Sequence, residues 1–179
     1  MMEHFDTLFL DRDGVINRLL PGDYVKRWDE FRFLDGALEA FPLLGRCFRR
    51  IVVVTNQRGV GRGVMSRSDL DDIHGRMLRS ITECGGRIDR IYSCTDTDEE
   101  SPRRKPRPGM AFEAREDFPD IVFARSVMAG DSPSDMLFGE NIGAATVRIG
   151  DDPQADFASL YDLARWCLAH PEATSFEKK

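Results

Sequence analysis

Hydrophobic residues recur along the chain in short runs that are separated by longer stretches with helical spacing. Five runs are almost continuous in apolar and β-branched residues, which is typical of strands buried on both faces: residues 7–10, 51–55, 88–93, 126–129 and 145–149. Between the runs, apolar residues three and four positions apart predict helices over residues 66–84 and 157–168. A further helix is predicted over residues 35–49, where we expect Pro42 to kink the helix or to mark a late start.

Alternating strands and helices predict an α/β fold of the three-layer, Rossmann-like kind. Parallel strands joined by right-handed crossovers form an open sheet, here of about five strands, with helices on both faces. The 179 residues leave room for one substantial domain, so we expect a single domain over residues 1–170 without a second large domain. Residues 171–179 are predicted to be a flexible C-terminal tail. Residues 12–34 exceed a typical strand-to-helix loop and are predicted to form a flap over the site.

Composition places the chain among ordinary globular proteins, with 41% hydrophobic and 31% charged residues. No apolar run approaches the roughly 20 residues of a bilayer span, and the first residues lack a basic signal-like region, so we expect a cytoplasmic protein without a membrane partner. Four scattered cysteines indicate free thiols. The net charge of -6 and the lack of a stripe of aromatic and basic residues disfavour nucleic acid as a partner. We expect a monomer.

Two aspartates, Asp11 and Asp13, follow the first predicted strand and flank a single residue before Gly14. Such a pair of carboxylates can divide the work of a reaction, one acting as a nucleophile and the other as a proton donor and acceptor. The same residues are also common in simple turns, and taken alone the two interpretations are about equally supported.

The other strand ends supply the partners that attack on a phosphate requires. Thr55 and Asn56 offer donors to phosphoryl oxygens, and Lys105, within a basic stretch, can neutralise charge. Asp131 can join Asp11 and the backbone carbonyl of Asp13 around Mg²⁺. Thr55 alternatively only ends a strand, Asp131 begins a turn, and the basic stretch is a solvated loop. Their joint arrangement favours a site, because the carboxyl ends of parallel strands meet at one edge.

Asp135 has two open interpretations. It follows Ser132 and Pro133, a sequence that is typical of a helix start with Ser132 as the cap and Pro133 at the first helical position. Helix capping and a contact to the metal, directly or from the second shell of ligands, are therefore equally supported for this carboxylate.

The ordered motifs resemble the haloacid dehalogenase superfamily of phosphatases. They are similar above all to its capless branch, which contains heptose 1,7-bisphosphate phosphatases and histidinol-phosphatases. The matching segments span residues 5–150 and include Phe9-Leu10-Asp11-Arg12-Asp13-Gly14, Val54-Thr55-Asn56-Gln57, Arg104-Lys105-Pro106 and Gly130-Asp131-Ser132-Pro133-Ser134-Asp135. The resemblance implies a magnesium-dependent phosphatase that works through an aspartyl-phosphate.

The resemblance also implies a role for each matching residue. Asp11 would be the nucleophile, Asp13 the general acid and base, and Lys105 the stabiliser of charge. Thr55 and Asn56 would bind phosphate, Arg104 would touch the substrate, and the metal ligands would be Asp11, Asp13 and Asp131.

The implied substrate is a small sugar phosphate. Residues 59–63 and Arg104-Lys105-Pro106 favour the 7-phosphate of D-glycero-D-manno-heptose 1,7-bisphosphate. Histidinol phosphate is the alternative. A polynucleotide 3'-phosphatase is a weaker alternative, because those enzymes share an Asp-x-Asp-Gly motif and a segment similar to residues 55–63.

One segment departs from the pattern of these relatives, which commonly carry a zinc loop with Cys-x-His followed by Cys-x-Cys. Here Cys94 occupies the first position, Asp96 stands at the histidine position, and the second cysteine pair is missing. A structural zinc ion needs four ligands, which residues 94–104 do not supply. We therefore predict no zinc, and we expect this loop to leave the identity of the substrate more open than the reaction.

Overall fold

The structure is a computed structural model that describes residues 5–171 and 173. Most of the tail predicted at 171–179 therefore lies outside the described residues. The strands are β1 Phe5–Leu10, β2 Phe48–Asn56, β3 Arg90–Cys94, β4 Val127–Gly130 and β5 Ala145–Arg148. The helices are α1 Ala37–Cys47, α2 Arg58–Gly61, α3 Arg67–Glu83, α4 Gly109–Asp117, α5 Pro133–Ile142 and α6 Leu160–Ala169. Short 3₁₀ turns occupy Trp28–Glu30 and Phe123–Arg125.

The five strands form one parallel sheet in the order β3-β2-β1-β4-β5. Its two faces carry separate hydrophobic clusters: Leu8 and Leu10 face α1, α3 and α6, whereas Phe9 faces α4 and α5. Side chains alternate between faces along a strand, so β1 contributes to both clusters and is almost completely buried. The predicted three-layer α/β fold is confirmed, and β1 lies at the centre of the sheet.

One predicted helix ends earlier than expected and one observed helix was not predicted, each for an identifiable reason. The helix predicted over residues 35–49 is α1, which continues through Pro42 and ends at Cys47, because β2 already begins at Phe48. Pro42 removes one helical hydrogen bond, but its neighbours Ala40, Phe41 and Leu44 are fully buried and their packing retains the helix. Helix α4 was not predicted, because its start lies among Pro106, Pro108 and Gly109.

Helix α3 begins as its sequence predicts. Ser66 occupies the N-cap, its hydroxyl oxygen accepts from the amide of Asp69, and the Asp69 carboxylate accepts in turn from the Ser66 amide. All four cysteines are free thiols. Among residues 5–171 and 173, no helix combines the length and the hydrophobicity needed to cross a bilayer.

The long segment between β1 and α1 is held against the sheet at both ends. Asn17 pairs with Asp13 and Phe33 through isolated bridges, and the Leu34 amide donates to the Ile16 carbonyl at 2.9 Å. Trp28, Phe31 and Phe33 pack as an aromatic group, which anchors the middle of the segment. The residues between these anchors extend over the carboxyl edge of the sheet, where the predicted flap was placed.

Candidate active site

A cavity of about 250 Å³ opens at the carboxyl edge of the sheet. Asp11 and Asp13 follow β1, and Asn56 and Gln57 lie at the end of β2. The loop after β3 carries the lysine, and one further carboxylate follows β4 while the other lies in the first turn of α5. The chemically active residues that line the cavity are Asp11, Asp13, Asn56, Gln57, Lys105, Asp131 and Asp135. The structure thus brings together six of the eight residues selected from the sequence, together with Gln57.

Lys105 joins two carboxylates in the floor of the cavity. Its Nζ donates to Oδ1 of Asp11 at 2.8 Å and to Oδ1 of Asp135 at 2.6 Å, and its side chain is 2% exposed. Burial by itself lowers the pKa of Lys105, but the two carboxylates outweigh it, so its pKa is raised and the lysine carries its charge. The ammonium group therefore lies against the predicted nucleophile.

Asp135 serves two purposes at once. The amide and the hydroxyl of Ser132 both donate to its Oδ2, at 3.2 and 2.8 Å, while its Oδ1 accepts from Lys105. One carboxylate therefore closes the start of α5 and positions the lysine. Helix capping is observed, and a contact with a metal stays a prediction.

The carboxylates around Lys105 form an electrostatically unbalanced cluster. Oxygen atoms of Asp11, Asp131 and Asp135 lie within 4.8 Å of one another, and no other group of three potential ligands is found in residues 5–171 and 173. Burial, and then the charge of Asp135, raises the pKa of Asp11 to about 8 and that of Asp131 to about 6. Three carboxyl groups against one ammonium group form an oxygen-rich donor set that fits a hard divalent cation, and such a cation would favour their ionised forms.

Gly14 lets the backbone after Asp13 approach this cluster. Its φ is +87°, and a Cβ at this position would lie 2.0 Å from Oδ2 of Asp131. Only glycine combines that conformation with that approach. The turn that brings the backbone at Gly14 next to the Asp131 carboxylate therefore depends on this residue.

Three donors hold the carboxylate of Asp13. Arg12 Nη2 and Asn17 Nδ2 donate to its Oδ1 at 2.8 and 2.9 Å, and Gln57 Nε2 donates to its Oδ2 at 2.8 Å. Burial by itself raises the pKa of Asp13, but the Arg12 charge and these hydrogen bonds outweigh it, so the pKa lies below its usual value. Its ionised form, which can accept a proton, is thus favoured in the ligand-free site.

Strand β2 ends in two side chains that are engaged within the protein. Thr55 is fully buried, and its Oγ1 accepts from Gln57 Nε2 at 2.9 Å. The Asn56 amide exchanges hydrogen bonds with the backbone of Lys105, accepting from its N–H at 3.1 Å and donating to its carbonyl at 3.2 Å. Asn56 therefore fixes the position of Lys105, while phosphate binding by Thr55 and Asn56 stays a prediction.

Arg104 lies beside the site but not among the residues of the described chain that line the cavity. Its Nη1 is buried and has no hydrogen-bond partner in the described part of the chain. An orphaned donor of this kind is compatible with a role in binding an anion. The predicted substrate contact of Arg104 stays a prediction.

The loop before Lys105 is ordered by hydrogen bonds and ion pairs. Ser101 Oγ donates to Asp96 at 2.5 Å, Arg58 on α2 donates to the Thr97 carbonyl at 3.1 Å, and Arg103 forms a two-point pair with Glu113 on α4. Asp96 stands at the histidine position of the zinc-loop pattern, and here its carboxylate accepts a hydrogen bond from Ser101 within the loop.

The open side of the cavity is walled by the segment between β1 and α1. Leu19, Asp23 and Tyr24 line the cavity, and the Tyr24 hydroxyl accepts from Arg62 Nη1 at 3.0 Å. Leu19 is 54% exposed. This wall borders the cavity that also holds the predicted nucleophile.

Three residues that orient Asp13 were not selected from the sequence: Arg12, Asn17 and Gln57. Gln57 carried a usable signal, because it is an amide directly after two predicted phosphate binders at a strand end. Arg12 lies between the two aspartates, two residues past the end of β1, and its side chain is fully buried. Nothing in the sequence indicated this burial, because a charged residue in a turn-like motif is expected to be exposed.

Comparison with known proteins gives a consistent picture. The HAD-hydrolase-like family model matches residues 102–152. The D-glycero-alpha-D-manno-heptose-1,7-bisphosphate 7-phosphatase of Mycobacterium bovis is 40% identical over 172 residues, which is 90% of each chain. The D-glycero-beta-D-manno-heptose-1,7-bisphosphate 7-phosphatase of Vibrio cholerae is 39% identical over 148 residues, which is 78% of each chain.

A solved structure has the same architecture. The D,D-heptose 1,7-bisphosphate phosphatase from B. bronchiseptica, complexed with magnesium and phosphate, superposes with a TM-score of 0.82 at 29% identity. The match covers 92% of this chain and 99% of that one. The similarity therefore extends over nearly the whole fold.

Proposed function

The chain belongs to the HAD-like hydrolases, and from this membership we propose that it removes the 7-phosphate of D-glycero-D-manno-heptose 1,7-bisphosphate through a phosphoryl group carried on Asp11. Membership confirms the resemblance inferred from the sequence, and the protein is a phosphatase. The observation that carries the proposed mechanism is the position of Asp11, which lines a cavity beside Lys105 and within reach of two further carboxylates.

The proposed reaction has two steps. An oxygen of Asp11 attacks phosphorus, the bond from phosphorus to the sugar oxygen breaks, and Asp13 protonates that oxygen. Asp13, now ionised, then takes a proton from water, which attacks the aspartyl-phosphate and releases inorganic phosphate with Asp11 restored. Lys105 neutralises charge on Asp11 and on the transferring group.

The ligand-free site favours the ionised form of Asp13, which suits the second step. For the first step the carboxyl group must carry a proton. The negative charge of a bound phosphate disfavours a second anion nearby, so we propose that Asp13 gains its proton when the substrate binds.

We propose that Mg²⁺ is held by Asp11, Asp131 and the backbone carbonyl of Asp13, with Asp135 behind them. When bound, the ion polarises the phosphoryl oxygens and offsets the negative charge of the site. Support comes from the three carboxyl groups gathered around one ammonium group and from the close approach of Gly14 to Asp131. Phosphate binding by Thr55, Asn56 and Arg104 is part of the same proposal.

The mechanism is tested by Asp11→Asn, with Asp71→Asn on the exposed face of α3 as the matched control. We expect Asp11→Asn to abolish phosphate release and to remain folded, because an amide is not an effective nucleophile, whereas Asp71→Asn keeps the activity of the parent. Normal turnover by Asp11→Asn would exclude the covalent mechanism.

The substrate is tested separately, by comparing phosphate release from both anomers of the heptose bisphosphate, from histidinol phosphate and from a 3'-phosphorylated oligonucleotide. A preference for either heptose anomer in kcat/KM supports the proposal. A preference for one of the other two compounds would replace the substrate while leaving the mechanism intact.

Three further features belong to the proposal. We propose that residues 1–170 form one catalytic domain. We also propose that the protein is cytoplasmic and monomeric. The free thiols support a reducing compartment. Light scattering during size-exclusion chromatography tests the monomer, and a dimer mass would contradict it.

A further inference from the structure

Arg12 stands between the two catalytic aspartates in sequence, yet its side chain is fully buried and is not among the cavity-lining residues of the described chain. Its Nη2 donates to Oδ1 of Asp13 at 2.8 Å, and its Nη1 lies 3.1 Å from Nε2 of His74 on α3. The guanidinium also lies over the ring of Phe31, 5.9 Å from the centroid. Burying an arginine this completely is costly unless its donors are occupied; here both terminal nitrogens are engaged, while Nε has no hydrogen-bond partner in the described part of the chain.

His74 is the partner that occupies the far end of this arginine. It is 8% exposed and belongs to the buried face of α3 with Leu70, Ile73 and Met77. A guanidinium group can only donate, so Nε2 of His74 must accept and the imidazole must be neutral with its proton on Nδ1. Burial, and then the charge of Arg12, lowers the pKa of His74 to about 3, which agrees with a neutral acceptor.

We infer that Arg12 and His74 are positioning residues that orient the carboxylate of Asp13 for proton transfer to the leaving oxygen. His74 fixes one end of the guanidinium group, so the other end meets Asp13 in a single geometry. Asn17 and Gln57 complete the grip on the two oxygens of the same carboxylate. The inference rests on the proposed function, in which Asp13 is the proton donor.

A contribution of His74 to core packing alone would have a different consequence. Loss of packing lowers stability and affects all substrates together, whereas a misplaced proton donor harms only reactions whose leaving group needs a proton. The ratio of kcat/KM for a sugar phosphate to kcat/KM for an aryl phosphate separates the two roles. This ratio depends on the first step, because kcat/KM reports the reaction up to loss of the leaving group.

The experiment compares D-glycero-D-manno-heptose 1,7-bisphosphate with p-nitrophenyl phosphate, whose leaving group departs without a proton. Four variants are measured: Asp13→Asn as the benchmark, His74→Leu, His74→Gln, and Ile73→Val as a control for disturbance of the same buried face. Thermal unfolding of each variant reports its stability independently of activity.

We expect His74→Leu to lower kcat/KM for the heptose bisphosphate by about tenfold, part of the 10²- to 10³-fold loss that a missing proton donor causes in Asp13→Asn. For p-nitrophenyl phosphate kcat/KM changes less than about twofold, because that first step needs no proton. His74→Gln restores most of the heptose activity, since its amide oxygen can accept from Arg12. Ile73→Val leaves the ratio unchanged.

An equal loss with both substrates in His74→Leu, or the same loss in His74→Gln as in His74→Leu, would overturn the inference and leave the proposed function standing. Failure of Asp13→Asn itself to separate the two substrates would instead refute the proton-donor role on which the inference rests.

Discussion

The carboxylate cluster predicts that the metal-free protein becomes less stable as the pH rises from 6.5 to 8. The pKa of Asp11 is raised to about 8 in the folded protein, mainly by burial, against an ordinary value near 3.8. In this window the folded state binds a proton that the unfolded chain does not, so the free energy of unfolding falls with pH. Asp131 adds little to the slope because its pKa of about 6 lies below the window. His74 acts with the opposite sign, mainly below pH 6.5 and weakly at the lower end of the window, because the unfolded chain binds a proton there that the folded state does not.

The size of the effect follows from the width of the window. About 1.5 pH units at about 1.4 kcal/mol per unit give a loss of about 2 kcal/mol. Urea unfolding in EDTA, followed by circular dichroism at several pH values, measures it directly. Asp11→Asn is the matched control and should show no such slope, because its amide does not titrate.

Saturating Mg²⁺ should abolish the slope and raise the stability, because the ion binds the ionised carboxylates of the native state only. Stability that is constant or rises between pH 6.5 and 8 in EDTA would refute the reasoning. So would an unchanged slope in Asp11→Asn.

Three further predictions address the lysine, the glycine turn and the metal content. Lys105→Met should lower kcat about 10²- to 10³-fold, because Asp11 loses its neutralising partner; turnover within tenfold of the parent would contradict this role. Gly14→Ala should lose about 1–3 kcal/mol of stability and should also bind Mg²⁺ more weakly in calorimetric titrations. Gly22 has a similar φ but no atom within 4 Å of the position that a Cβ would take, so Gly22→Ala should lose stability through backbone strain without weaker Mg²⁺ binding. Equal Mg²⁺ affinity of the two variants would argue against the Asp131 contact. Elemental analysis of the purified protein should show no stoichiometric zinc, and EDTA-treated enzyme should recover with Mg²⁺ alone; one zinc per chain would contradict the interpretation of the loop after Cys94.

The sequence predicted the fold well wherever hydrophobic pattern and local chemistry agreed. The central strand and the start of α3 at Ser66 follow directly from runs of apolar residues and a capping box. Helix α4 was missed because its start is rich in proline and glycine, which signal a loop when tertiary packing is unknown. Its buried residues Met110, Ala111 and Ala114 hold it against the sheet.

Those residues of the site that come after the end of a strand could be predicted from the sequence. Asp11, Lys105 and Asp131 meet because parallel strands end at one edge, a property of topology that alternating elements reveal. The partners of these residues were not predictable in the same way. His74 lies on a helix with ordinary amphipathic spacing, and only the packing of α3 brings it to Arg12. The engagement of Asn56 with the Lys105 backbone likewise depends on the path of a loop with no periodic signal.

The wall formed by Leu19, Asp23 and Tyr24 has a consequence for how this enzyme could acquire new specificities. It belongs to the segment tethered at Asn17 and Leu34, whereas the reacting groups follow the ends of the strands. The exposed residues of this segment that lie outside its aromatic group can therefore be exchanged or lengthened without disturbing the nucleophile. Grafting this segment between homologues should transfer preference for the leaving group as a module, which makes it a natural target for laboratory evolution of selectivity.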